Sequence, residues 1–150
     1  MSAKLSDEEL RQTLIALATH NDREIAAAIF GLKRSGLERR MQQLYKFLDA
    51  SSLMDCILKA WSTGVIKPDP SARQLGPLEP GEQALLKMFA QNLTRGAMST
   101  RVGKSQRWIM NNLSGLRTKF EINGQVATDK HVVVYAALSV MERNSSKSGR

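Results

Sequence analysis

Cysteine is almost absent. Cys56 is the only one in 150 residues, so no internal disulfide can form and a reducing compartment is the simpler expectation. Histidine is scarce too: His20 and His131 are the only two. Neither has a cysteine or a second histidine at ligand spacing, so no metal site is expected. Aromatics make up 5%, too few for the stacking platform that holds single-stranded nucleic acid. The longest uninterrupted apolar run, Val132 to Leu138, is far short of the ~20 residues that cross a bilayer. The N-terminus turns acidic at Asp7, Glu8 and Glu9 and shows no apolar stretch of the signal-peptide kind. There is no glycine-rich phosphate loop and no activated nucleophile. An enzyme is not expected, nor is a cofactor.

What remains is basic charge. Lysine and arginine total 22 against 14 acids, a net of +8, which favours a polyanionic partner, nucleic acid before an anionic membrane. The charge is unevenly placed. Residues 1–70 hold 10 basic and 9 acidic side chains, and residues 71–150 hold 12 and 5. From Glu82 to Glu121 no acid intervenes, while Lys87, Arg95, Arg101, Lys104, Arg107, Arg117 and Lys119 all fall there. A charge run of this kind is often only a solvated face. Here it coincides with a helical pattern suited to phosphate contact.

All four prolines, Pro68, Pro70, Pro77 and Pro80, lie within thirteen positions, with Gly76 among them and Gly64 and Gly81 on the flanks. Proline is excluded from helix interiors, so this stretch reads as a linker between helical blocks, with a long intradomain loop as the alternative. In the first block Ser6 and Glu9 have capping-box spacing. Leu10, Leu14 and Leu17 recur at helical period, Asp22 opens a short helix that stops at Gly31, and Leu37, Met41, Leu44 and Leu48 form a third pattern. A fourth carries Leu53, Ile57, Ala60 and Trp61. The second block opens at Glu79-Pro80-Gly81-Glu82. Thr94 caps a short helix ending at Gly103, Trp108, Ile109, Leu113, Leu116 and Phe120 predict a third, and a loop through Asn123-Gly124 leads to a fourth from His131 to Arg143. A constant offset of 72 superposes the blocks without a gap through three helices, pairing Leu14 with Leu86, Gly31 with Gly103, Leu37 with Ile109 and Leu44 with Leu116. This predicts a degenerate internal repeat.

A short helix, a glycine turn and a longer basic helix make a helix-turn-helix pattern. Leu78-Glu79-Pro80-Gly81-Glu82 followed by Leu85-Leu86-Lys87-Met88-Phe89-Ala90 resembles the opening of LuxR/FixJ-type (NarL-like) DNA-binding domains. Val102-Gly103-Lys104-Ser105 through Leu116-Arg117-Thr118-Lys119-Phe120 is similar to their turn and recognition helix, and Val134-Tyr135-Ala136-Ala137-Leu138 to the end of their fourth helix. The first block fits more loosely. Where the family favours threonine-valine early in the recognition helix, this chain has Trp108-Ile109 and Gly36-Leu37.

The expected fold is therefore all-α, with two tandem four-helix helix-turn-helix domains at 1–62 and 79–143, a linker at 63–78 and a disordered tail at 144–150. The expected function is sequence-specific binding of double-stranded DNA by a bacterial, cytoplasmic transcriptional regulator. The expected contacts in the second block are Lys104, Ser105, Gln106, Arg107, Asn111, Ser114, Arg117 and Lys119, and in the first Arg34, Ser35, Arg39 and Gln42. Arginine, glutamine and asparagine can address base edges with two hydrogen bonds, and lysine neutralises phosphate. A homodimer paired through apolar fourth helices is expected, with pairing of the two fourth helices within one chain as the alternative, RNA polymerase or another regulator as a possible partner, and no membrane association. The rival readings are an architectural or packaging DNA binder, of the partition-factor or terminase-small-subunit type, and a protein-binding adaptor.

Overall fold

The computed structural model describes residues 4–148. The chain is mostly helical and divides into two compact units between Lys67 and Pro68. Unit 1 holds α1 (Asp7–Thr19), α2 (Arg23–Ile29), α3 (Arg34–Leu48) and α4 (Leu53–Ser62). The starts of α1, α2 and α4 follow from local chemistry, while Lys33 before α3 makes no side-chain cap bond. Ser6 Oγ accepts the Glu9 amide at 3.1 Å while Glu9 accepts the Ser6 amide, so two orphan donors are satisfied reciprocally. Asp22 and Ser52 cap α2 and α4 by accepting the Glu24 and Asp55 amides. Leu14, Leu17, Leu37, Leu44 and Ile57 are essentially inaccessible, and each contributes about 1.5–3 kcal/mol by leaving water. Cys56 lies in that core, where burial pushes its thiol up to about 12, so it is chemically inert.

Unit 2 holds β1 (Arg73–Gln74), α5 (Pro80–Ala90), α6 (Arg95–Val102), α7 (Gln106–Leu116), β2 (Phe120–Ile122), β3 (Gln125–Val126) and α8 (Lys130–Ser148). The strands form an antiparallel sheet in the order β1-β2-β3, with Arg73 opposite Glu121 and Ile122 opposite Gln125. Asn123 and Gly124 both have positive φ, 53° and 78°, as a two-residue I′ hairpin turn requires. Phe120 and Ile122 face inward, and β2 packs on α8, whose Val132, Val133, Val134 and Ala137 are buried.

Several expectations need correction. The fold is mostly helical, as expected, but it adds a small antiparallel sheet, because the stretch through Asn123-Gly124 expected to be a loop is a hairpin. Phe120 belongs to β2, not to the preceding helix, which ends at Leu116. The proline-rich stretch 63–78 is not a free linker. Ile66 is buried and its amide donates to the Ala60 carbonyl. Beyond Lys67 the chain is sewn into unit 2. The Asp69 amide donates to buried Ser139 Oγ at 2.9 Å, and Arg143 donates to the carbonyls of Pro70 and Ala72. The Leu75 amide donates to the Lys119 carbonyl at 2.7 Å. The tail placed at 144–150 begins as helix, since α8 continues to Ser148; 149–150 lie outside the described residues. The apolar stripes of the fourth helices pack largely within their own units: Leu53, Ile57, Ala60, Val133, Val134 and Ala137 are all buried.

The offset of 72 has structural content. α2 and α6 start at Arg23 and Arg95, and α3 and α7 start at Arg34 and Gln106. Gly31 and Gly103 both take left-handed backbone, φ 66° and 65°, which glycine adopts without steric cost. The units diverge where α3 continues to Leu48 while the corresponding chain in unit 2 leaves α7 for the hairpin.

Candidate nucleic-acid interface

In unit 2, Thr94 opens α6 by accepting the Ala97 amide at 3.2 Å, and Gly103 closes it. The Ser99 hydroxyl then donates to the Lys104 carbonyl, holding the turn, and Ser105 Oγ accepts the Trp108 amide at 3.4 Å to open α7. With Ile109, Leu113 and Leu116 directed inward, the helical period places Gln106, Arg107, Met110, Asn111 and Ser114 outward, all exposed. Among the described residues no hydrogen bond or ion pair engages the side chains of Gln106, Arg107, Asn111 or Ser114. Lys104 is likewise exposed in the turn.

α7 is held by an unusually close approach to α5. A Cβ on Gly115 would lie 1.8 Å from Glu82 Oε2, and one on Gly81 would lie 2.5 Å from Asn112 Oδ1. The Glu82 carboxylate is buried, and its Oε1 accepts from the Glu79 amide at 2.8 Å and from Lys119 Nζ at 3.0 Å. Lys119 also donates to the Pro77 carbonyl at 2.8 Å.

Lys119 therefore does not join the outward face: its ammonium neutralises a buried acid. Arg117 is half-buried at the α7 C-cap, and its Nε donates to the Thr128 carbonyl at 2.8 Å. Lys104, Ser105, Gln106, Arg107, Asn111 and Ser114 do come together on one exposed turn and helix face. Arg95 and Arg101 on α6 are exposed as well, Arg101 donating to Gln91 Oε1. They were visible as part of the basic run but were not among the expected contacts. Met110, 37% exposed between Arg107 and Asn111, was missed altogether, although its spacing from Arg107 carries the signal.

Unit 1 presents Arg34, Ser35, Arg39 and Gln42 on the exposed side of α3. Arg34 Nε stands 3.5 Å from Glu38 Oε1, a surface pair of small energetic value that adds an acid to this face. Arg40 turns inward, its guanidinium 4.8 Å above the Phe30 ring. Under the offset of 72, Arg101, Lys104 and Arg107 correspond to Ile29, Leu32 and Ser35, and Ile25 and Ile29 are 44% and 54% exposed. The two faces have the same scaffold and different chemistry. Among the described residues no cluster of side chains suits a metal ion, and no helix is long and apolar enough to cross a membrane.

Comparison with protein-family models, with curated proteins and with solved structures returned no match to this chain.

Proposed function

We propose that each unit is a helix-turn-helix module and that the chain binds double-stranded DNA, with unit 2 as the principal reader. The observation that carries this reading is the outward face of α7. It lies in a stretch with no acid between Glu82 and Glu121, and its Gln106, Arg107 and Asn111 are exposed and uncommitted. At a rise of ~1.5 Å per residue, this eleven-residue helix is long enough to lie in a major groove about 12 Å wide. Arg107 and Asn111, one turn apart, address guanine and adenine edges, and Met110 offers an apolar contact to a thymine methyl. Lys104, Arg95 and Arg101 neutralise phosphates, and the α6 N-terminus adds its partial positive charge. A bacterial transcriptional regulator is the role this chemistry suits best.

Unit 1 supports a second reading for itself. On its equivalent face Ile29, Leu32 and Ser35 stand where unit 2 has three cations, Arg34 and Arg39 stand where unit 2 has Gln106 and Asn111, and Arg34 is paired with the added acid Glu38, so the face is less basic and more apolar. Such a face favours protein over phosphate, so unit 1 acts as an adaptor toward another protein of the transcription machinery.

The test is the salt dependence of binding to a 30-base-pair duplex, followed by selection of preferred sequences from a random pool. With about four to six phosphate contacts, log Kd should rise with log salt at a slope of about 4 to 5. A slope near zero, or no duplex bound at low salt, would rule the reading out.

A further inference from the structure

We propose that the groove between α5 and α8 of unit 2 binds a small monoanionic amphiphile, an apolar chain ending in a carboxylate held by Lys87. The groove has a volume of about 700 Å³, within the range of small-molecule sites. Leu86, Val134 and Ala137 form a buried apolar floor, and Leu78, Leu138 and Met141 raise the walls. Met141 is 52% exposed there, so the chain itself leaves this apolar surface to water.

The polar lining decides which occupant fits. Gln83 donates to the Leu78 carbonyl, Gln74 donates to the Gly76 carbonyl, and Gln91 accepts from Arg101. Each of these amides already holds one protein partner, and none carries a charge. Lys87 is the single charged side chain in the lining, and among the described residues it has no ion-pair partner. One uncompensated cation at the edge of an apolar trough complements one anion on an apolar chain. A bilayer surface is a poorer match, because one lysine contributes only about 1 kcal/mol toward anionic lipid. An apolar helix from a partner would cover Lys87 without supplying the anion.

α5 uses different faces for its two neighbours. Gly81 and Glu82 meet α7, whereas Gln83, Leu86, Lys87 and Ala90 line the groove. An occupant therefore leaves the outward face of α7 uncovered, and the proposal stands independently of DNA binding.

The experiment titrates the full chain, without DNA, with decanoate below its micellar concentration. Decanol and decyltrimethylammonium serve as head-group controls, and binding is followed by amide chemical shifts and calorimetry. Two exposed positions supply variants that do not threaten folding: Lys87→Gln removes the charge, and Ala90→Leu fills the groove. Decanoate should saturate one site, with shifts confined to residues 74–78, 83–91 and 134–141. K87Q should weaken decanoate about tenfold and leave decanol unchanged, and A90L should weaken both. Absence of saturable decanoate binding, decanol bound as tightly as decanoate, or an indifferent K87Q would each overturn the proposal. So would a protein dimer that A90L converts to monomer, because a second copy would then be the occupant. Because no DNA is present, failure here leaves the duplex-binding test standing, and the reverse holds.

Discussion

Gly115→Ala tests how α7 is anchored, and two principles disagree about its sign. Helix propensity alone makes alanine better than glycine by about 0.5–1 kcal/mol. The structure opposes this, since the new methyl would sit 1.8 Å from Glu82 Oε2. The carboxylate must then move by roughly a further 1.5 Å to reach ordinary contact. It would leave the Glu79 amide, a cap worth about 1 kcal/mol, and it would loosen the ion pair with Lys119 in a largely buried site. Breaking a fully buried pair costs about 3–5 kcal/mol, but the Lys119 side chain retains 22% exposure, which lowers this to about 2–3. The net effect is destabilisation by roughly 2–3 kcal/mol. In a Glu82→Ala background the obstructing atoms are gone, so the same substitution should stabilise by about 0.5–1 kcal/mol. Urea unfolding in a Trp61→Phe background, where Trp108 fluorescence reports unit 2, measures both. At an m-value of about 1–2 kcal/mol/M, the first effect shifts the midpoint downward by more than about 1 M. A neutral or stabilising G115A in the Glu82 protein, or the same sign in both backgrounds, would refute the argument.

Arg107→Ala and Asn111→Ala should each cost about 1–3 kcal/mol on the preferred duplex and little on random DNA, measured by competition binding; equal losses on both would place a different helix in the groove. Lys119→Met should lower unit 2 stability by about 2–3 kcal/mol, yet the remaining folded protein should bind duplex as before; weaker binding with unchanged stability would return Lys119 to the interface. The Ser6 amide, with the Ser6 hydroxyl, holds the Glu9 carboxyl below its usual pKa. The contribution of Glu9 to stability is therefore complete above the unfolded-state pKa and lost as pH falls through the lower folded-state value. Glu9→Gln should accordingly show a shallower stability loss on acidification from neutral pH to about pH 3; an unchanged slope would remove Glu9 from the acid response. Gly103→Ala has open space for its Cβ but must hold φ 65°, so it should cost only the backbone strain of about 1–2 kcal/mol, read by thermal melting; a larger loss would mean the turn is packed more tightly than its geometry shows.

The helices were legible in the sequence because their determinants are local. Ser6, Asp22, Ser52 and Thr94 announce N-termini through side chains that satisfy amides two or three residues away. The apolar period of Leu37, Met41 and Leu44, or of Ile109, Leu113 and Leu116, selects the buried face of one helix without reference to the rest of the chain. The internal offset, and with it the outward position of Arg107 and Asn111, followed from the same periodicity. The Asn123-Gly124 turn was also written there, between Ile122 and Gln125-Val126, but two or three residues of strand on either side are too short for a period-two pattern to stand out.

Tertiary structure decided what depends on residues far apart in the chain. β1 exists because Arg73 and Gln74 find Glu121 and Phe120, and no local signal in a proline-rich stretch specifies that pairing. The same stretch became part of unit 2 because Ser139 and Arg143, on the last helix, satisfy its backbone groups. Lys119 looked like one more cation in a basic run until Glu82 was placed 3.0 Å away, in a site too dry to leave a carboxylate unpaired. A sequence states how many charges a chain carries. Which of them face water and which neutralise the interior is settled only when the partners meet, because burial sets the cost of leaving either one alone.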